Sequence, residues 1–457
     1  MRKAFQFLFL ALLFSLNNSA QHPANSKNGG SVIPDSILSN FLGSWKGVGS
    51  YEGKSRNIEL NISVGSTGKM ESSWSIRDAG IFRKPFTFSF WNQEKNSLLL
   101  ENGFFELKYD NGRPGQIQVK ISRHGATIDC IFDKIIPEIL PYKLENISFS
   151  NGSVKLAGTL SIPNSAHKMP AVIFLHGSSD GSRWDWAPFF ADILSRMGIV
   201  CLFYDKRGSG ESTGSWIASS LDDLSDDANK AMEYLQTLDY VDKDNIGFWG
   251  FSQSGWVAPN CLKTNTKIAF MIICSGGANS PREVELFGYK NTLLQKGMTQ
   301  EQVDSAFTLA KKYFDYLESK ISLGEIENEI KTVRNSSWYK FINLERVLPS
   351  ESNRKNWRWV ADYDPLPSIR TINFPLLLVF GENDVQTNVP VAVQKWNSAL
   401  SKKAVRMATI KIFEKGNHGI KLGDHSPGSL LFWQEFAPGY LDLIKDWAKK
   451  NILRNSK

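Results

Sequence analysis

The chain carries a serine between small residues directly after an apolar run, an arrangement that can expose a nucleophile. Residues 245–256 read NIGFWGFSQSGW, and the apolar run 246–249 predicts a buried strand. Gly250 and Ser254 lie two positions on either side of Ser252, which leaves room for a strand that turns at once into a helix. Such a turn strains the backbone of its apex residue and presents the hydroxyl at its tip. The pattern G-x-S-x-S-G departs from strict G-x-S-x-G only by its second serine.

A serine hydroxyl is a poor nucleophile at neutral pH, so a base must take its proton. His418 is the preferred base because it directly follows the apolar run 409–413, whereas His425 lies further along the chain. A carboxylate that orients the imidazole is expected in a neighbouring loop, where Glu382 and Asp384 both occur. The residues alone leave the choice between these two carboxylates open.

Apolar runs that alternate with helical segments must position these groups. The strand predictions, in chain order, are 171–175, 199–204, 246–249, 269–274, 375–380 and 409–413. Because strands and helices alternate, we predict an α/β fold with a doubly wound, mostly parallel sheet. A hairpin with strands at 145–149 and 154–162 precedes these units.

Two helical features are well specified. Apolar residues recur at three- and four-residue spacing over 221–238, with Ser220 as the N-cap and Asp223 in the first turn. Residues 280–364 interrupt the alternation and are predicted to be helical, with a capping box at 299–302. An insertion at the carboxyl end of a central strand lies where open parallel sheets bind ligands, so we interpret it as a lid. Its tryptophans either contact a substrate group or pack between lid helices: Trp338, Trp357 and Trp359.

Residues 31–141 differ in pattern and predict a small all-β domain, either a barrel or a sandwich. The runs 58–64 and 116–121 alternate between apolar and polar residues, as half-buried strands do. The sequence at 43–45, Gly-Ser-Trp, resembles the G-x-W opening of lipocalin-like barrels. Three aromatic residues either line a ligand surface or fill the core: Trp45, Trp74 and Trp91.

Length and composition limit the class of protein. The 457 residues indicate two or three domains. Arg2 and Lys3 precede the apolar run 4–16, which predicts a signal peptide over residues 1–20 and a secreted or periplasmic protein; an uncleaved anchor is the alternative. The net charge of +7 comes without a Lys/Arg-rich run, so no nucleic-acid partner is expected. The cysteines have neither metal-ligand spacing nor a disulfide framework: Cys130, Cys201, Cys261 and Cys274.

The chain order nucleophile, acid, base, each after its own strand, resembles the α/β-hydrolase family over residues 142–457. Residues 204–212, YDKRGSGES, resemble the Y-D-x-R-G-x-G-x-S segment of its serine esterases. The stretch 173–178 resembles the H-G oxyanion loop, 380–384 the acid turn and 416–419 the histidine loop.

This resemblance implies a catalytic triad of Ser252, Asp384 and His418, and it selects Asp384 as the acid. The backbone amides of Gln253 and Ser178 are the expected oxyanion donors. Three neighbouring residues receive structural roles: His176 is expected to bond the backbone, and Asp205 and Arg207 to pair with each other.

The expected protein is an exported serine hydrolase that cleaves carboxylic esters through an acyl-enzyme. Neither a cofactor nor a metal is expected. The expected substrate is a small ester or acylated molecule. The enzyme itself is expected to have no stable membrane span. A serine exopeptidase or an acyltransferase would use the same triad. A protein that binds glycan or lipid on a hydrolase scaffold without catalysis is a further alternative, and the sequence leaves the oligomeric state open.

Overall fold

The structure, a computed structural model, describes residues 33–123, 125–178, 180–423 and 431–453. The predicted signal peptide and the alternative base His425 lie outside these residues. In the part of the chain that is described, no helix combines the length and apolarity needed to cross a membrane.

The strands, in chain order, are β1 (Gly43–Tyr51), β2 (Lys54–Val64), β3 (Met70–Ile76), β4 (Ile81–Pro85), β5 (Ser89–Asn92), β6 (Ser97–Leu100), β7 (Phe105–Tyr109), β8 (Gln116–Arg123), β9 (Ala126–Ile135), β10 (Tyr142–Asn151), β11 (Val154–Pro163), β12 (Met169–Leu175), β13 (Val200–Tyr204), β14 (Val241–Phe251), β15 (Met271–Cys274), β16 (Leu376–Gly381) and β17 (Ala408–Phe413). The α-helices are α1 (Asp35–Phe41), α2 (Ala187–Ser195), α3 (Leu221–Gln236), α4 (Ser254–Cys261), α5 (Pro281–Gln295), α6 (Gln300–Leu317), α7 (Leu323–Val333), α8 (Glu351–Trp357), α9 (Trp359–Asp362), α10 (Leu366–Ile369), α11 (Val389–Ala399), α12 (Lys402–Met407) and α13 (Tyr440–Asn451). Short 3₁₀ helices lie at Arg77–Ala79, Glu101–Gly103, Tyr339–Phe341, Leu344–Arg346 and Leu431–Trp433.

The amino-terminal sheet is antiparallel and runs in the order β4-β3-β2-β1-β9-β8-β7-β6-β5. Its inward side chains form one core because the sheet curls: the rings of Trp74 in β3 and Phe105 in β7 lie 5.5 Å apart. Trp45 and Trp91 are buried in the same core. The three tryptophans are therefore core aromatics and not a ligand surface.

The second sheet has the order β10-β11-β13-β12-β14-β15-β16-β17. β11 runs antiparallel to both of its neighbours, and the strands from β13 to β17 pair in parallel. Separate clusters of buried side chains cover its two faces: α3, α4 and α11 pack on one, and α2 and α13 on the other. The six apolar runs of the sequence fall on β12 to β17, so the carboxyl ends of the central strands meet at one edge.

Between β15 and β16 the chain forms a helical insertion, defined here as α5 to α9, with a core of its own. Reciprocal side-chain bonds cap its longest helix, α6, through Thr299 and Gln302. The same device starts α3, where Ser220 and Asp223 exchange hydrogen bonds with the backbone. Each cap satisfies amides that have no partner within the helix, which explains why these sequence signals mark the helix starts.

The segment after β17 returns to the amino-terminal sheet and packs into it. Phe432 and Trp433 lie in the core of that sheet, and the Phe432 ring is 5.9 Å from that of Trp74. Arg56 donates to Glu435 at 2.6 Å and to the Trp433 carbonyl at 3.3 Å. The amino-terminal domain thus holds the chain shortly after the histidine loop.

The four cysteines are buried and carry free thiols. Their burial among apolar side chains is the environment expected of small hydrophobic residues.

Replacing Phe432 by Ala should lower the free energy of unfolding by about 3–5 kcal/mol, because a fully packed ring leaves a cavity in the domain that receives it. Phe88→Ala is the matched control: this ring belongs to the same domain but is 45% exposed, so the loss should be about 1 kcal/mol or less. Urea unfolding of both variants measures the difference. Equal losses would mean that the Phe432 contact does not stabilise the protein.

Candidate active site

Ser252 lies at a sharp junction between β14 and α4. Its backbone has a φ of +55°, a left-handed conformation that a residue with a side chain seldom adopts. Two hydrogen bonds hold this conformation: the Ser252 amide donates to the Cys274 carbonyl at 2.9 Å, and the Gly255 amide donates to the Ser252 carbonyl at 2.8 Å. The strain is of the kind that costs about 1–3 kcal/mol and persists only where neighbouring structure enforces it.

The second serine of the junction has a packing role. Ser254 is fully buried and donates a hydrogen bond to the Phe251 carbonyl at 2.9 Å. A Cβ atom on Gly250 would lie 2.1 Å from the Ser254 hydroxyl, so the glycine makes room for the serine. The departure from G-x-S-x-G is accommodated within the turn, and burial removes Ser254 as a nucleophile.

Close backbone contact fixes the other side of the junction. A Cβ atom on Gly276 would lie 2.2 Å from the Ser252 carbonyl oxygen, and one on Gly255 would lie 2.1 Å from the Gly277 amide nitrogen. Real Cβ atoms do not approach so closely, so the end of β15 can touch the start of α4 only through glycine. The sequence analysis predicted neither of these two contacts.

A buried carboxylate orients the histidine. Asp384 Oδ2 lies 2.7 Å from His418 Nδ1, and both side chains are almost inaccessible. The other carboxylate oxygen, Oδ1, accepts from the amides of Gln386 at 2.8 Å and Thr387 at 2.9 Å, which fixes the carboxylate in turn. Glu382, the alternative acid, is exposed and accepts from the Lys415 amide.

The remaining ring nitrogen of His418, Nε2, makes no bond to the acid. Nε2 is buried and has no hydrogen-bond partner among the residues that the structure describes. The histidine loop packs directly on the acid loop, since a Cβ atom on Gly381 would lie 2.2 Å from the Asn417 carbonyl. Thr387 binds the acid loop to the end of β15 through the Ser275 carbonyl at 3.1 Å. Strands β14, β16 and β17 therefore bring Ser252, Asp384 and His418 to one edge of the sheet.

The backbone amides of Ser178 and Gln253 lie near Ser252. A Cβ atom on Gly177 would lie 3.9 Å from that of Ser252, which places the next residue, Ser178, beside the turn. Gln253 follows the serine directly at the start of α4. Within the described ranges, neither the Ser178 amide nor the Gln253 amide donates to another group of the protein. Both amides are thus available to an oxyanion.

Lys206 is a residue of this site that the sequence interpretation missed. Its Nζ donates to the Gly177 carbonyl at 3.0 Å and to Gln253 Oε1 at 2.8 Å. Burial lowers the pKa of Lys206 to about 7. The available signal was a charged residue at the variable position of the Y-D-x-R-G segment, directly after a buried strand.

A pocket lies between this edge of the sheet and the helical insertion. Ser178, Lys206 and Gln253 form part of its wall, and Glu285 contributes a carboxylate. Most of the remaining wall is aromatic: Trp216, Trp256, Tyr289, Tyr313, Trp357 and Trp359. Trp338 packs in the core of the insertion, and so does Trp357, which contributes to both the core and the pocket wall. Over the described ranges, no cluster of three or more His, Cys, Asp or Glu side chains is suited to hold a metal ion.

Comparison with known proteins identifies the family. The sequence profile of the X-Pro dipeptidyl-peptidase family (S15) matches residues 151–419, more than half of the chain. The chain belongs to this family. The match begins in the hairpin of β10 and β11 and ends just after His418, so it contains the nucleophile turn, the helical insertion and the histidine loop. Membership in the α/β-hydrolase superfamily, expected from the sequence, is confirmed.

Individual relatives match shorter segments. An acyltransferase of Aspergillus calidoustus, drtE, is 43% identical over 74 residues, which are 16% of this chain and 24% of the relative. The quorum-quenching protein AidA of Acinetobacter baumannii is 29% identical over 24% of this chain and 36% of its own. The chain thus spans well under half the length of these curated relatives. Among solved structures, an acylaminoacyl peptidase of Pyrococcus horikoshii is 15% identical, with a TM-score of 0.48 over 89% of this chain and 55% of that one.

Two charged residues of the oxyanion region do not pair as expected. Asp205 binds Arg183 at 2.6 Å, whereas Arg207 binds Asp227 at 2.6 Å. The predicted pair of Asp205 with Arg207 is therefore wrong, because the chain turns away after β13 and sends the two side chains to different neighbours. His176 bonds the backbone of Tyr204, and burial lowers its pKa to about 3, so it is neutral.

The contact between Gly250 and Ser254 can be tested by enlarging the first side chain and removing the second, separately and together. Gly250→Ala should slow labelling of Ser252 by a fluorophosphonate about a hundredfold, because the new methyl group displaces the turn by a fraction of an ångström. Ser254→Gly alone should label at nearly the wild-type rate. The double variant should recover most of the lost rate, since both clashing atoms, Cβ and Oγ of Ser254, have been removed. A double variant as slow as Gly250→Ala would show that this contact does not shape the turn.

Proposed function

We propose that the protein is an exported serine hydrolase that cleaves carboxylic esters through an acyl-enzyme. The observation that carries the proposal is the buried Asp384–His418 bond of 2.7 Å at the same sheet edge as the strained Ser252. This arrangement couples a hydroxyl, a base and an orienting carboxylate. Export rests on the amino-terminal sequence, where a basic start precedes an apolar run.

In the first half of the reaction, Ser252 Oγ attacks the ester carbonyl carbon while His418 Nε2 takes the serine proton. The carbonyl oxygen becomes an oxyanion and accepts from the amides of Gln253 and Ser178. The bond to the alcohol oxygen then breaks, and the proton on His418 passes to the leaving alkoxide. Asp384 keeps the imidazole in the required tautomer and stabilises its charged form.

In the second half, water replaces the alcohol. His418 takes a proton from water, whose oxygen attacks the acyl carbon and forms a second oxyanion at the same two amides. Collapse releases the carboxylic acid and returns the proton to Ser252. A different acceptor in place of water would make the same acyl-enzyme a transferase, the activity by which the Aspergillus calidoustus relative is named.

The pocket supports an acyl group that is apolar or aromatic. Its wall is mainly indole and phenol rings, which bind such groups by burial and ring contact. The helical insertion supplies Tyr289, Tyr313, Trp357 and Trp359 to that wall, so we propose that it acts as a lid. Exclusion of water by a lid strengthens the electrostatic interactions beneath it.

The role of the acid is tested by a matched pair of isosteric changes. Asp384→Asn should lower kcat for p-nitrophenyl esters by about 10⁴-fold, because the amide favours the wrong tautomer of His418. Glu382→Gln alters the same loop at an exposed position and should leave kcat nearly unchanged. The reverse result would assign the acid to Glu382.

The substrate class is tested by a turnover panel of short-chain esters, aromatic esters, acetylated sugars and aminoacyl anilides. Aromatic esters should have the highest kcat/KM, and Ser252→Ala should abolish both turnover and fluorophosphonate labelling. A wild-type protein that resists the probe and turns over no substrate, yet binds glycans or lipids, would show that the fold acts as a binding scaffold.

A serine exopeptidase is the second candidate, and Glu285 favours it together with the family. Glu285 is the carboxylate of the pocket wall, and burial raises its pKa to about 7 despite a hydrogen bond from Tyr289. A free amino group of a substrate would stabilise the ionised carboxylate by a charge-assisted hydrogen bond. Esters and amides share the tetrahedral intermediate, so the same triad serves either reaction.

Glu285→Gln separates the two candidates. If substrate amines bind this carboxylate, the variant should lose about 10- to 100-fold in kcat/KM toward aminoacyl anilides, the equivalent of a charged hydrogen bond of about 1.5–3 kcal/mol. Its kcat/KM toward neutral esters should not change. Glu301→Gln, an exposed change in the same insertion, is the control. Equal effects on both substrate types would remove the support that Glu285 gives to the exopeptidase.

A further inference from the structure

We propose that Lys206 is the positioning residue of the oxyanion hole, holding both of its donor amides through one buried ammonium group. The inference rests on the proposed function and assigns a role to a residue outside the triad. Its basis is the pair of hydrogen bonds from Lys206 Nζ, 3.0 Å to the Gly177 carbonyl and 2.8 Å to Gln253 Oε1. These bonds reach the two segments that carry the donors.

The first bond acts on the Ser178 amide through a shared peptide group. The Gly177 carbonyl and the Ser178 N–H belong to one planar unit, in which the two groups point in opposite directions. Fixing the carbonyl oxygen therefore fixes the direction of the N–H. A cation at the oxygen also polarises the unit, which makes the N–H a stronger donor.

The second bond holds the residue that carries the other donor. Gln253 is buried, and its side-chain oxygen is fixed by the same ammonium group, which restrains the first residue of the turn into α4. Gly177 and Gln253, which are 76 positions apart in the sequence, are thereby held by the same ammonium group. Such preorganisation is effective because the donors need not reorient when charge develops on the substrate.

The surroundings of Lys206 determine how the device depends on pH. Burial lowers its pKa to about 7, while the negative charges of Asp180 and Asp227 oppose this change. His176 is neutral and adds no charge, the Trp216 ring lies 5.6 Å from Nζ, and Glu285 faces the same pocket. The ammonium form dominates below pH 7 and is lost as pH rises through that value, so its contribution to kcat should be lost in the same direction.

The experiment compares kcat, KM and the pH profile of wild type, Lys206→Met and Lys206→Arg on one aromatic ester. Lys206→Met should lower kcat about 10- to 100-fold with little change in KM, since the affected interaction forms only in the transition state. This loss is smaller than the 10²–10³-fold loss expected when a donor is removed. Lys206→Arg stays charged at all accessible pH values, so it should retain more activity and lack the decline above pH 7.

The control is Lys84→Met, which removes another buried lysine, one that pairs with Asp185 at 2.9 Å across the domain interface. It should reduce stability while keeping the wild-type pH profile per active site, as counted by fluorophosphonate titration. Suppose that the wild type is active and that Lys206→Met either keeps the wild-type kcat or changes only KM. Either result would overturn this inference and leave the proposed function standing. If the methionine variant does not fold, a persistent decline above pH 7 in Lys206→Arg overturns it. A wild type that neither labels nor turns over any ester overturns the proposed function as well.

Discussion

The left-handed backbone of Ser252 is the constraint on which the rest of the site depends. A φ of +55° is unfavourable for serine, and the isolated segment would relax from it. Neighbouring backbone prevents this: the end of β15 accepts from the Ser252 amide and presses Gly276 against its carbonyl. The central strands therefore do more than deliver residues to one edge, since their contacts maintain the strained turn. Gly276 and Gly277, which follow β15, therefore shape the turn at Ser252 as much as the residues that flank it in sequence.

The electrostatics of the site follow from the same crowding. Lys206 and the Asp384–His418 pair are almost fully enclosed, yet each finds partners fixed by backbone geometry. Buried charge is costly unless it is paired or hydrogen-bonded, so groups of this kind define the arrangement of loops around them. In this chain the acid loop is fixed by two of its own amides, and the loops on the other side of Ser252 are fixed by the lysine.

Local patterns predicted what is decided locally. Apolar runs placed the strands from β12 to β17 within a few residues of their bounds, except that β14 begins at Val241, earlier than the apolar run itself. The caps at Ser220 and Thr299 were legible because both halves of each reciprocal bond lie within four residues. The role of Lys206 was not legible, since it depends on two loops that meet only in the fold. The same reason explains the incorrect pairing of Asp205 with Arg207, which find Arg183 and Asp227 elsewhere in the chain.

Phe432 and Trp433 pack into the core of the amino-terminal sheet, which gives that domain a structural role in the rest of the protein. A domain that is attached only by a linker has its own core, and few contacts cross to its neighbour. Here the first domain encloses two large rings from the chain shortly after His418, and Lys421 in the same segment donates to the Ala79 carbonyl at 2.6 Å. Its removal would expose these rings to water and release one end of the histidine loop. The domain is therefore a structural part of the hydrolase, because its interior must accommodate these two rings.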